Sequence, residues 1–391
     1  MKVTSLFSGC GGLDHGFEKL GFDVLEAFDF DAKAVATYNL NNKPVAKHRE
    51  LTSGSILGNS ADVIIASPPC QGFSTAGGYR GEKDPRNELF LTAIDLIIAA
   101  KPKVAVIENV AALTNVKNRQ LLDRALLTLR AAGYAADYTI LQVEKFGVPQ
   151  RRRRIFIVAR KENRLFNLDA FGSGQANVSL RASLEGLDEC MSGHLPRHLP
   201  EGSKHKAIAL RIRQGQKLCN VRVSSNAVAT WEIPEVFGPT TEPQKTVLRY
   251  IQRARRSERV RNYGDADPVS LETLQKGLGC EVEGQVEELL GLGYLRRVGD
   301  CIDLTNTFNG KFRRLSLDGL SPTVDTRFGD FRLFLHPTEH RGMTVREAAR
   351  IQGFPDSFQF PAEERAAFRQ VGNAVPPPVA ASVASFVKEL L

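Results

Sequence analysis

Val3-Thr4-Ser5-Leu6-Phe7-Ser8-Gly9-Cys10-Gly11-Gly12 decides how this chain is built. A short strand-forming run enters a glycine-rich turn, and helical spacing follows through Leu20. Strand, glycine turn and helix in that order let backbone amides approach a ligand at a positive helix end. The rhythm then repeats. Asp23 to Phe28 reads as a second strand and Asp31 to Leu40 as a second helix. Two further apolar runs, Asp62-Val63-Ile64-Ile65-Ala66 and Val104-Ala105-Val106-Ile107, end at Ser67 and Glu108. Helical patterns from Glu88 to Ala100 and Gln120 to Ala132 bracket the later run, and Arg154 to Ala159 is a last strand. The alternation predicts an α/β fold with a largely parallel sheet.

The 391 residues suffice for two domains, each with its own core. With 42% hydrophobic and 25% charged residues and no apolar run of membrane-span length, a soluble cytoplasmic protein without a membrane role is expected. Cys10, Cys70, Cys190, Cys219, Cys280 and Cys301 contain no C-x-x-C pair, which argues against a disulfide framework and a zinc ribbon. Cys190, His194 and His198 have tempting spacing, but Pro196 interrupts a helix there and a fourth ligand is lacking, so no metal is assigned. A formal charge of +8 favours a polyanionic partner.

Chemistry concentrates at the ends of the strands. Ser67-Pro68-Pro69-Cys70-Gln71-Gly72-Phe73-Ser74 puts a thiol on a proline-stiffened turn, and Glu108-Asn109-Val110 puts a carboxylate at the end of a neighbouring strand. Together they form a nucleophile and acid pair. Gly72 to Gly81, directly after the thiol, reads as a loop able to close over a substrate. Asp29, at the end of the second strand, is placed to accept hydrogen bonds from ribose hydroxyls. The glycines lack G-x-G-x-x-G spacing, so a dinucleotide ranks low.

The order Pro-Pro-Cys-Gln, Glu-Asn-Val, then Gln150-Arg151-Arg152-Arg153-Arg154 resembles the DNA (cytosine-5-)-methyltransferase family. The resemblance covers about 1–183 and 313–391, including Thr344 to Pro355 and Gln370-Val371-Gly372-Asn373-Ala374-Val375-Pro376. It implies a Rossmann-like catalytic domain using S-adenosyl-L-methionine, with a smaller mixed target-recognition domain. The implied cofactor contacts are Phe7, Gly9, Cys10, Gly12, Asp29, Glu50, Leu51, Pro69, Leu89, Asn373 and Val375. Glu50 departs from the family's aspartate by one methylene, and Ser5 stands where many members have aspartate. Cys70 is the implied nucleophile toward C6 of a cytosine flipped out of duplex DNA. Glu108 is implied to act at N3 and the exocyclic amine. Arg152 and Arg154 are implied to hold the base O2, order the catalytic loop and pair phosphates. A monomer is expected, with a cognate restriction endonuclease as functional partner. An RNA (tRNA) cytosine methyltransferase and an inactive DNA-binding regulator are the competing readings. The intact Cys70, Glu108, Arg152 and Arg154 count against the regulator.

The expected division is a catalytic domain over 1–183, a target-recognition domain over 184–369, and a segment 370–391 completing the catalytic domain. Within the middle part, residues 246–304 have the order helix, helix, helix, hairpin and resemble a winged helix. Lys245, Arg249, Arg253, Arg255, Arg256, Arg259 and Arg261 crowd its first helix and exit, which gives a surface for phosphates.

Overall fold

The computed structural model describes residues 1–58, 60–69, 86–161, 166–168, 171, 178–188, 190–261, 266–305 and 308–391. Two compact units emerge. The first comprises Met1–Leu195, Asp318–Arg327 and Thr344–Leu391, and the second Pro196–Leu317 and Phe328–Met343.

The first unit is built on a seven-stranded sheet. Its strands are β1 (Lys2–Leu6), β2 (Asp23–Asp29), β3 (Ala46–His48), β4 (Val63–Ala66), β5 (Val104–Val110) and β6 (Tyr134–Gln142). After the two-residue β7 (Gln150–Arg151) comes β8 (Arg153–Lys161). The order is β3-β2-β1-β4-β5-β8-β6. The first five of these run parallel, and β8 lies antiparallel to both β5 and β6. The largely parallel sheet is as expected. The edge strand β6 escaped sequence reading because Tyr-Ala-Ala-Asp-Tyr-Thr-Ile-Leu-Gln has no bounded apolar run.

Side-chain alternation explains why these strands read as continuous apolar runs. Val3, Val63, Ile65, Val104 and Val106 join one core, with the C-terminal helix Pro377–Leu390. Leu6, Ile64, Ala66, Ala105 and Ile107 join the other, with α3 (Arg86–Ala100) and α4 (Arg119–Ala131). Both faces of the sheet are therefore covered, as a parallel sheet requires. The helix α1 (Gly12–Lys19) follows β1, and α2 (Ala32–Asn41) follows β2, with the Asp31 side chain accepting from the Lys33 N–H as its cap.

The chain returns to this unit over Asp318–Arg327 and again from Thr344 onward. Thr344 and Glu347 form a reciprocal capping box at the start of helix Val345–Ile351. The buried Arg346 donates to the carbonyls of Ser192 at 2.9 Å and Phe358 at 2.8 Å, anchoring that helix locally.

The second unit contains helix Glu242–Ser257, strand Val269–Ser270, helices Leu271–Leu278 and Glu283–Leu292, and the hairpin Leu295–Val298 with Cys301–Leu304. The strands form a three-stranded antiparallel sheet with Cys301–Leu304 in the centre. This is the connectivity of a winged helix, with Gly299 at φ 59° in the wing turn. Val247, Leu248, Ile251, Leu274, Val286, Leu289 and Ile302 fill its core. Among the described residues no helix is long and apolar enough to cross a membrane.

Candidate active site

Because β1 to β5 run parallel, their carboxyl ends share one edge of the sheet. From β1 the chain steps outward through β2 to β3 and then crosses to β4 on the other side of β1, and this reversal opens a crevice at that edge. The predicted residues Phe7, Gly9, Asp29 and Pro69 stand at or just beyond these strand ends, and Glu108 lies among the last residues of β5, just before Asn109 and Val110.

The glycine turn is built from left-handed backbone: Phe7 at φ 54°, Gly9 at 56° and Gly11 at 88°. Ser8 N–H donates to the Phe28 carbonyl at 3.0 Å, which ties the turn to β2. A Cβ on Gly9 would meet nothing within 4 Å, so its front is open. Gly12 is glycine for another reason. A Cβ there would lie 2.5 Å from the Val375 carbonyl oxygen, so the C-terminal segment packs directly on the start of α1. Val375 itself is buried in the core beside Leu13 and Phe17, while Asn373, at the end of helix Glu364–Asn373, is exposed.

Asp29 is 8% exposed and held by two backbone amides, Gly9 N–H at 2.8 Å and Asp31 N–H at 2.9 Å. Burial pushes its carboxyl above the usual range, and these two amides pull against that shift. Each oxygen keeps a lone pair for a further donor. Next to it, Phe30 is 62% exposed, an apolar side chain one residue beyond the end of β2 that sequence reading passed over. Its signal was an aromatic directly after a strand-end acid. Glu50 is exposed and Leu51 buried against Leu6 and Phe28. Leu89, in the first turn of α3, is half-buried on the same core. The Cys10 thiol is buried, and burial pushes it up to about 12, so it stays protonated and unreactive.

At the end of β4, Ser67 N–H donates to the Leu6 carbonyl at 3.1 Å, and Pro68 is buried. The Asn109 amide donates to the Pro68 carbonyl at 3.3 Å, bridging β5 to the turn before the candidate nucleophile. The Glu-Asn-Val triplet left Asn109 without a role, and this contact supplies one. Cys70 and the glycine-rich loop 72–81 lie outside the described residues.

Glu108 is 6% exposed and paired with Arg154, Nε to Oε1, at 2.9 Å. The register explains the pairing: Glu108 lies opposite Phe156 on β8, so Arg154 is its diagonal neighbour on the same face. Burial pushes the Glu108 carboxyl up, while the charges of Arg154 and Arg152 pull it down. The outcome is a carboxyl that holds a proton more readily than a surface glutamate.

Arg152 is placed differently from Arg154. Its guanidinium, 1% exposed, donates to the carbonyls of Val324, Gly372 and Ala374, each at 3.0 Å. Through these backbone oxygens it braces the C-terminal segment, and its charge pulls the Glu108 carboxyl down. Gln150 and Gln352 extend the brace. Gln150 donates to Gln352 and accepts from Val324 N–H at 3.1 Å, and Gln352 donates to the Val371 carbonyl at 2.7 Å.

The chain is similar to known proteins over nearly its whole length. A family model described as C-5 cytosine-specific DNA methylase matches residues 1–389. The Type II methyltransferase M.AgeI of Thalassovita gelatinovora is 30% identical, with 99% of each chain covered. The Type II methyltransferase M.DdeI of Desulfomicrobium norvegicum is 29% identical, covering 98% of this chain and 88% of that protein. Among solved structures, the S. pombe Dnmt2 methyltransferase has the same fold, with a TM-score of 0.59 at 18% identity over 100% of this chain and 98% of that one. From the sheet order, the strand-end carboxylates and a match over nearly its whole length, the chain belongs to the C-5 cytosine-specific DNA methylase family and is an enzyme of that class.

Proposed function

We propose that this protein transfers a methyl group from S-adenosylmethionine to C5 of a cytosine in a short sequence of duplex DNA, with Cys70 adding to C6. The observation that carries the reading is the buried Glu108–Arg154 pair, one strand away from the turn that leads into Cys70.

The residues at the crevice suit the methyl donor. Asp29 offers acceptor lone pairs to ribose hydroxyls, Gly9 leaves room above the turn, and the exposed Phe30 ring offers an apolar face to an adenine. Glu50, Leu51, Pro69, Leu89, Asn373 and Val375 would complete the contacts. When bound, the cofactor supplies a methyl group made electrophilic by its sulfonium.

This chain's own residues would prepare the base. Cytosine C5 is a weak nucleophile within an aromatic ring. Addition of the Cys70 thiolate at C6 breaks the aromaticity and makes C5 enamine-like. Glu108, inclined by burial to hold a proton, would donate toward N3 and stabilise the charge that addition pushes onto the ring. Arg154 fixes the orientation of that carboxyl. Loss of the C5 proton and expulsion of Cys70 would restore the ring. C6 is shielded within a stacked duplex, so the base must leave the stack first. Relatives named as Type II methyltransferases support a modification role; a cognate restriction endonuclease as functional partner, a monomeric state and a cytoplasmic location belong to the same proposal.

Duplex DNA carrying 5-fluorocytosine, incubated with enzyme and cofactor, should yield a covalent adduct that Cys70→Ala abolishes. An adduct surviving Cys70→Ala would remove Cys70 from the mechanism. Methyl transfer to tRNA and none to duplex DNA would overturn the substrate assignment.

A further inference from the structure

A winged helix ordinarily meets DNA with its third helix in the major groove. Here that helix, Glu283–Leu292, contains no lysine or arginine. Its outward residues are Gly284, Glu287, Glu288 and Gly291, with Glu283 at its start. Brought against phosphates, this face would be repelled. The wing offers little compensation, because its Arg296 and Arg297 stand against Glu283, Glu287 and Glu288 of this helix and Asp300 and Asp303 of the hairpin.

The positive charge of the module sits on its first helix. Glu242–Ser257 carries Lys245, Arg249, Arg253, Arg255 and Arg256 against Glu242 alone. Its apolar stripe, Val247, Leu248, Ile251 and Ala254, is buried. At 100° per residue, Arg249, Arg253 and Arg256 fall together on the opposite side. Arg255 points the other way and is consumed inside the module by Asp303 at 2.9 Å. Arg249 is steadied by Glu232 at 3.2 Å and Glu242 at 3.5 Å, while Arg253 is exposed and has no ion pair among the described residues. Beside this helix runs a groove of about 410 Å³, lined by Arg249, Arg253 and Glu232 together with the apolar Val223, Val228 and Ala229. Val223 is 70% exposed.

Guanidinium groups one helical turn apart, above an apolar floor, match the alternation of phosphate and deoxyribose along a DNA strand. We infer that the winged helix of this protein meets duplex DNA with its first helix, the groove beside Arg249 and Arg253 taking a sugar–phosphate segment, while its third helix faces away from the duplex. The inference rests on the proposed action on duplex DNA, and it assigns a positioning surface rather than a base-reading one.

The test uses the whole chain and a labelled duplex, with binding measured by anisotropy from about 50 to about 200 mM salt. For Arg249→Gln with Arg253→Gln, the slope of log K against log salt should become shallower by about 1.8, since each lost phosphate contact removes about 0.9. Arg253→Gln alone should give about half that change and serves if the double variant does not fold. Glu283→Gln with Glu287→Gln should leave the slope as in the parent or tighten binding. An unchanged slope in the arginine variants, or weakened binding in the glutamate variant, would overturn the inference. A slope change seen with tRNA and absent with duplex DNA would also overturn it. Methyl transfer by the parent to the same duplex separates the two levels. Transfer with unchanged slopes sinks only the orientation of the winged helix, whereas a parent that neither binds nor methylates the duplex sinks the proposed function as well.

Discussion

Arg152 and Arg154 sit two residues apart in one arginine run, yet the fold gives them different work. Arg154 faces Glu108 across the β5–β8 pair, and Arg152 is spent on three carbonyls. Arg152→Met should therefore lower stability by at least about 2 kcal/mol, because buried carbonyls lose charged donors. Arg154→Met should cost less, since Glu108 can take up a proton when its counter-charge is gone. It should instead cut methyl transfer on the order of a hundredfold. Thermal melts and transfer rates on the two variants distinguish these outcomes. A second residue-scale consequence concerns Asp14 beneath the glycine turn. Burial pushes its carboxyl from 3.8 to about 7, against hydrogen bonds from Ser5 and Tyr38. The folded state thus keeps a proton that the unfolded chain releases above about 4, so its contribution is present below that pH and lost as pH rises toward 7. Asp14→Asn should remove this dependence. The stability of the parent relative to the variant should decline from pH 4 to pH 7 and then level off, measured by denaturant titration across that range.

At the scale of elements, close helix packing sets the position of the glycine turn. A Cβ on Gly16 of α1 would lie 2.4 Å from the Ala380 Cβ of the C-terminal helix. Gly16→Val should force these helices apart and cost about 1 to 3 kcal/mol. Because Gly12 touches the Val375 carbonyl in the same contact, weaker cofactor binding should accompany the lower melting temperature. Calorimetry on one variant can follow both. The first strands and helices were legible in the sequence because their apolar runs and helical spacing persist over whole elements. β6 was not, since its half-buried alternation carries alanine, aspartate and tyrosine in place of a β-branched run. The winged-helix elements were legible too, through glycine stops: Gly279 and Gly293 close their helices at φ 68° and 91°.

Across the whole molecule, the first unit is assembled from three separate stretches of chain. The helix Pro377–Leu390 supplies Val379, Val383 and Val387 to the core that also holds Val3 and Phe17. That closure explains why the last residues of the chain bear on a turn near its start. The sequence by itself determined the α/β class, the strand-end positions of Asp29 and Glu108 and the family to which they belong. These depend on local spacing and on residue types whose chemistry is fixed. Tertiary structure alone decided which arginine reaches Glu108, that Arg152 is a brace, that Asn109 holds the Pro68 carbonyl, and that Arg255 of the basic helix is consumed by Asp303 while Arg253 stays exposed. Those properties depend on register and burial, and a charged side chain takes its role from whichever buried partner the fold brings within hydrogen-bonding distance.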